Sequence, residues 1–173
     1  MKLHHAILLV PAVAAFAASA SENAEPATAS ATLVAASDSH VSGTLTFTAS
    51  ENGVLITGRI AGVEPSSTHG FHIHEKGDCS APDATSAGGH FNPHAHAHGQ
   101  AGQGEHHAGD IPNLVADAEG NIAVDVAVSG VSLRDGGIGD IAGRAIVLHA
   151  APDDYTSQPA GNSGARIACG VIE

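Results

Sequence analysis

The chain has no tryptophan, one tyrosine and four phenylalanines, set against 21 glycines. So few aromatics with so much glycine favour many short strands joined by turns over a helical bundle. Positive charge is equally scarce. Six Lys and Arg face 18 Asp and Glu, for a net charge of −12, which makes nucleic acid and anionic lipid surfaces poor partners. Long apolar runs are missing except for Ala6–Ala18, which is too short and too alanine-rich to span a bilayer well. No internal repeat, heptad pattern or glycine-rich phosphate loop is present. Cysteine is limited to Cys79 and Cys169.

The one apolar run has a different reading. Lys2 precedes it and Ala18-Ser19-Ala20 follows it as an A-x-A cleavage site, so residues 1–20 read as a secretory signal peptide. No cysteine follows Ala20, which argues against a lipid anchor. Residues 21–31, SENAEPATASA, are small and polar and read as a disordered leader. Residues 32–173 are then one domain with one core. Exported chains carry disulfides, and the obvious pairing is Cys79 with Cys169.

Alternation marks the strands. Residues 40–49 and 54–60 alternate about Asn52-Gly53, a type I′ hairpin signal, and Gly58 reads as a bulge. Residues 70–74 form a short strand with Phe71 and Ile73 opposite His72 and His74. Residues 113–118 and 122–128 form two more strands about a turn at 117–121. Residues 144–149 are almost continuously apolar and therefore buried, and residues 166–172 close the chain. Residues 75–113 and 150–164 are long loops. The expectation is an all-β fold, an eight-stranded antiparallel Greek-key β-barrel or sandwich, with its chemistry on two long loops.

Nine of the thirteen histidines fall between His69 and Asp110. A loop that long and that polar needs a reason to be ordered, and metal coordination is sufficient. His72 and His74 share a strand face roughly 7 Å apart, close enough to converge on one ion. His149 ends a buried strand, where an unpaired imidazole is costly. A second set draws on His90, one of His94, His96 and His98, one of His106 and His107, and Asp110. Three nitrogens and a carboxylate suit a closed tetrahedral zinc site. Spacing alone does not choose among the alternatives, and His94, His96 and His106 also admit a metal-scavenging role.

The segments GFHIHEKGDC (70–79), SAGGHFNP (86–93), HHAGDIPNL (106–114), GRAIVLHA (143–150) and GNSGARIACGVI (161–172) resemble copper/zinc superoxide dismutase, and Cys79 is placed as in its bacterial exported branch. The resemblance implies copper ligands His72, His74, His90 and His149, and zinc ligands His90, His98, His107 and Asp110. His90 would bridge the metals and also donate a proton. It further implies the Cys79–Cys169 disulfide, Asp153 as the carboxylate linking ligands of the two metals, and Arg166 as the anion-guiding arginine. Lys76 joins Arg166 as a candidate steering cation. His69 reads as a structural hydrogen-bonding residue. The implied activity is dismutation of superoxide to dioxygen and hydrogen peroxide in the periplasm. A non-enzymatic copper/zinc buffer or chaperone is the alternative. The family includes dimers and monomers, so a homodimer is compatible.

Overall fold

A computed structural model describes residues 25–173. The signal-peptide expectation for residues 1–20 lies outside the described residues, as do residues 21–24 of the expected leader.

Eight antiparallel strands follow one another: β1 (Thr28–Ala35), β2 (Ser42–Ser50), β3 (Gly53–Ala61), β4 (Thr68–His74), β5 (Asp110–Val115), β6 (Asn121–Ser129), β7 (Ala145–His149) and β8 (Arg166–Val171). Their order across the sheet is β5-β4-β7-β8-β1-β2-β3-β6. The connections from β3 to β4 and from β6 to β7 therefore cross over, as in a Greek key. The two end strands, β5 and β6, approach each other, so the sheet curls into a nearly closed barrel.

The interior is aliphatic apart from the rings of Phe47, Phe71 and Phe91. Phe47 and Phe71 are fully buried among Leu33, Leu45, Ile56, Ile60, Ile73, Ile111, Ile122, Ile146 and Leu148. β1, β2, β3 and β6 alternate, and β7 is buried throughout because loops cover its outer face. The same cover explains β4. Phe71 and Ile73 point into the barrel, yet His72 and His74 on the opposite face are also buried.

Three local expectations are corrected. The segment read as a disordered leader, 21–31, runs into β1, which begins at Thr28. Ala29, Ala31 and Leu33 pack inward against Phe47, Leu45 and Gly43 of β2. TASATLV alternates correctly, but alanine carries so little apolar signal that the pattern reads as polar. The β2–β3 turn is Glu51–Asn52, with Ser50 opposite Gly53, and neither turn residue has positive φ, so it is not type I′. Gly58 is not a bulge. The β2–β3 register runs through it unbroken, and a Cβ there would lie 2.2 Å from the Thr44 carbonyl oxygen.

β5 starts earlier than expected, at Asp110 rather than Asn113. Pro112 suggested loop, but β5 is an end strand and its ladder breaks there. His69 faces Leu114 and Phe71 faces Ile111, so Pro112 and Asn113 share the place opposite Gly70. Starting the strand at Asp110 sets that carboxylate opposite His72.

Long segments at 75–109 and 150–165 lie outside the barrel wall. The first is anchored by the Cys79–Cys169 disulfide, which ties it to β8 across 90 residues. Beneath it a small apolar cluster of Ala36, Ala84, Ala87, Ala145 and Val147 packs around Cys169. Closing a loop of that size stabilises the fold by about 4–5 kcal/mol in the chain-entropy model. Reducing the disulfide, or replacing Cys79 with Ser, should lower the melting temperature by about 10 °C or more. Calorimetry with thiol titration checks this, and an unchanged melting temperature after full reduction contradicts it.

Candidate metal centre

The site is built outward from β4 and β7, which are hydrogen-bonded neighbours with Phe71 opposite Leu148. His72 and His74 emerge from the outer face of β4, and His149 ends β7 beside them. His90 arrives from the first long loop and forms an isolated bridge with His74. The rings of His72 and His90 stack with centroids 4.0 Å apart, and those of His74 and His149 lie 5.6 Å apart.

The hydrogen-bond partners fix which nitrogen of each ring carries a proton. His72 Nε2–H donates to Asp153 Oδ2 at 2.8 Å, which leaves Nδ1 buried without a partner. His74 Nδ1–H donates to the Gly88 carbonyl at 3.0 Å, and His149 Nδ1–H donates to the Gly164 carbonyl at 3.4 Å. Their Nε2 atoms are therefore lone-pair acceptors, and they face each other at 3.4 Å. His90 Nε2 is also buried without a partner. Four lone pairs thus converge, all within 4.8 Å of one another. Nothing among the described residues donates to them, so the arrangement is repulsive until a cation sits among them.

A second group adjoins the first through the other nitrogen of His90. Asp110 Oδ1 lies 2.8 Å from His90 Nδ1, 3.1 Å from His98 Nδ1 and 3.4 Å from His107 Nδ1. His107 Nδ1 and His90 Nδ1 are 3.4 Å apart. A tetrahedron with bonds of zinc–ligand length has edges of roughly 3.3 Å. His98 Nδ1 is oriented off-line for a hydrogen bond to Asp110, and its Nε2–H already donates to Asp153 Oδ1 at 2.9 Å. Asp110 Oδ2 is held away from the group by the backbone N–H of His107 at 2.8 Å and of Gly99 at 3.2 Å.

Asp153 therefore spans both groups, with one oxygen on His72 and the other on His98. Its approach depends on Gly161, where φ is +63° and a Cβ would fall 1.7 Å from Asp153 Oδ1. Two contributors carried no sequence signal. Asn113 exchanges two hydrogen bonds with the Asp153 backbone. Gln158 accepts from the His98 N–H and donates to the His98 carbonyl, both at 2.9 Å, so it positions that residue from the second loop. His69 is buried and structural, between Ser67 and the His149 carbonyl.

The four-imidazole group opens into a cleft of about 470 Å³, lined also by Asn162, Ser163 and Arg166. Arg166 donates to the Ala84 carbonyl at 2.7 Å and to the Gly88 carbonyl at 2.6 Å. Gly88 thus positions Arg166 and His74 together. Lys76 does not share this placement. It is exposed and lines no part of the cleft, because the chain has turned away from His74 through a bend at residues 75–76. Of the two expected steering cations, Arg166 lines the cleft and Lys76 does not. Among the histidines left open by spacing, His98 and His107 are buried in the second group, whereas His94 and His96 are exposed.

Burial, and then the neighbouring His90, push the His74 imidazole down to about 2. Burial, and then His72, push His149 down to about 3. Burial pushes His90 down to about 4 against the pull of Asp110. Burial works against ionisation of Asp110, but its hydrogen bonds from His107 and His90 prevail and hold it below the usual carboxylate range. At neutral pH His74, His90 and His149 are thus neutral and Asp110 is ionised, so each offers at least one lone pair.

The family model for copper/zinc superoxide dismutase (SODC) matches residues 41–172. A superoxide dismutase [Cu-Zn] of Aquifex aeolicus is 47% identical over 124 residues, covering 70% of this chain and 72% of its own length. The superoxide dismutase [Cu-Zn] of Caulobacter vibrioides is 40% identical over 146 residues, covering 82% of this chain and 83% of its own. A crystal structure of a SOD-like protein from Bacillus subtilis superposes with a TM-score of 0.76 at 38% identity, over 83% of this chain and 97% of that one.

The depressed imidazoles set a pH dependence for the metal-free protein. Unfolded histidine takes up its proton near pH 6.5, whereas His74, His90 and His149 resist it in the fold. The unfolded state then binds more protons, so stability falls as pH drops below about 6.5. Asp110 acts in the same direction at lower pH. Metal-free protein should melt progressively lower between about pH 7.5 and about pH 4. A melting temperature that holds steady or rises on acidification contradicts this.

Proposed function

Because the chain belongs to the copper/zinc superoxide dismutase family, we propose that His72, His74, His90 and His149 hold its copper and that His90, His98, His107 and Asp110 hold its zinc. The protein is an enzyme of that family, its metals are copper and zinc, and its substrate is superoxide. The observation that supports the assignment is the meeting of undonated lone pairs, above all His74 Nε2 against His149 Nε2 at 3.4 Å. Four nitrogens suit Cu(II), and three nitrogens with a carboxylate suit zinc.

Copper, when bound, supplies the one-electron couple that oxidises one superoxide to dioxygen and reduces a second, with two protons, to hydrogen peroxide. The polypeptide does the rest. Arg166 holds the anion at the cleft beside His74 and His149. The N–H groups of His74 and His149 are committed to backbone carbonyls, so neither ring has a proton to spare. His90 differs, since its Nε2 has no hydrogen-bond partner, its Nδ1 faces Asp110 and the residue lines the cleft. It is the ring able to take a proton at Nε2 and release it to the reduced substrate. Asp153 keeps His72 and His98 in the tautomers that aim Nδ1 at each metal.

The disulfide is consistent with export. We extend this to a signal peptide at residues 1–20 and a periplasmic location. Amino-terminal sequencing of secreted material tests both.

Copper removal should abolish superoxide consumption, while zinc removal should chiefly lower the melting temperature. His98→Ala should lose zinc and keep copper, read by metal mass spectrometry and turnover on one sample. Full turnover by copper-free protein, or stoichiometric zinc in the His98 variant, would overturn the assignment. Arg166→Ala should lower kcat/KM about tenfold or more at unchanged copper content, the scale of a lost hydrogen bond to a charged group. Undiminished kcat/KM at low ionic strength removes Arg166 from the mechanism.

A further inference from the structure

Six histidines belong to the two buried groups and His69 is structural. Three others, His94, His96 and His106, fall in one loop and take no part in either group. They are not scattered. The side chain of Asn92 grips the backbone of His96 at both ends, accepting from its N–H at 3.0 Å and donating to its carbonyl at 2.8 Å. Ala95, between the two imidazoles, has a φ of 54°. This tight loop turns His94 and His96 to one side, with ring centroids 5.7 Å apart and planes tilted by 34°.

That spacing has a scale within the same molecule. Pairs of rings inside the buried groups lie at 5.6 Å (His74 and His149), 5.4 Å (His90 and His107) and 5.5 Å (His98 and His107). His94 and His96 therefore sit as far apart as rings that face a common centre. No hydrogen bond occupies a ring nitrogen of either residue among the described residues. His106 completes the arrangement. Its Nδ1–H donates to the His107 carbonyl at 2.7 Å, which fixes Nε2 as the free acceptor. His94, His96, Glu105 and His106 line one hollow, floored by Ala108 and bordered by Ser129 of β6.

We propose that this hollow is a third metal site, open to solvent, for a divalent ion that prefers imidazole. Cu(II) heads the affinity order for such donors. His94 and His96 supply two nitrogens, His106 Nε2 a third and Glu105 a carboxylate. The donors are not closed into a sphere as the buried groups are. The exposed rings and the Glu105 side chain swing onto the ion, so binding is weaker and faster than in the buried sites. The glycines at 102 and 104, both with positive φ, lie in the segment that has to adjust.

The test uses protein already loaded with copper and zinc, with Cu(II) as the probe. Equilibrium dialysis should show one further equivalent of Cu(II) per chain, and electron paramagnetic resonance should show a second copper signal with nitrogen coupling. The double variant His94→Ala/His96→Ala should lose that equivalent, with at least a tenfold weaker association. His106→Ala should weaken it as well, and His40→Ala, at an exposed histidine elsewhere, should not. Both mutated rings are exposed and Asn92 grips only the backbone of His96, so folding and the two buried metals are retained. No further uptake by the loaded protein overturns the proposal, as does unchanged uptake by the double variant. Superoxide consumption and the original metal content are read on the same samples. Failure here therefore leaves the dismutase assignment standing.

Discussion

The structure depends on one buried carboxylate. Asp153 accepts from His72 with one oxygen and from His98 with the other, and each of those rings belongs to a different group. A carboxylate with no exposed surface is costly unless its oxygens are filled, and here the two imidazole N–H groups and the Tyr155 N–H fill them. The consequence travels outward. With Nε2 committed, each ring must aim Nδ1 away from Asp153, and those nitrogens are left buried and unpaired. The polypeptide therefore satisfies one end of each ring so that the other end cannot be satisfied by protein. Metal binding then releases that stored cost as folding free energy.

The barrel's part is to bring distant segments to this carboxylate. Asp153 lies on the loop after β7, His72 on β4 and His98 on the loop between β4 and β5. Asn113, on β5, clamps the Asp153 backbone, and Gln158 clamps that of His98. The disulfide secures the other side. Cys79 fixes the segment whose carbonyls, at Ala84 and Gly88, orient Arg166, and Cys169 sits three residues beyond Arg166 on β8. One covalent link thus joins the strand of Arg166 to the segment whose carbonyls hold its guanidinium.

How much of this the sequence discloses depends on how strongly each signal is local. His72 and His74 are legible because a strand of period two puts them on one face, and β7 is legible from its unbroken apolar run. The choice of His98 and His107 is not legible from spacing, since HAHAH and HH offer equivalent side chains. For His98 it is made by Asp153 and Gln158, which lie 55 and 60 residues away in the chain, and for His107 by the turn that brings Asp110, three residues on, back against it. β1 is hidden for another reason. Its inward residues are mostly alanine, too small to mark a core face without knowing that Phe47 and Leu45 stand opposite. Lys76 misleads because proximity in sequence to His74 is cancelled by a bend immediately after the strand.

The scarcity of positive charge is the last constraint. An acidic chain repels an anionic substrate at long range, so the few cations matter by position. Arg134 donates to the Thr28 carbonyl, and Arg144 donates to the Asp140 and Glu75 carbonyls while its guanidinium lies 3.8 Å over the Phe91 ring. Both are occupied in holding loops. Arg59 and Lys76 are exposed and do not line the cleft. Among the described residues that leaves Arg166, half-buried and held by two carbonyls, to carry the cleft's positive side-chain charge. Burial lowers its pKa from the ordinary value, but a guanidinium starts so high that it stays charged, which a lysine in the same surroundings need not. Salt screens distant charges within about 10 Å, whereas a charge at the floor of a cleft acts inside that distance. The acidic exterior and the arginine in the cleft therefore act over different ranges.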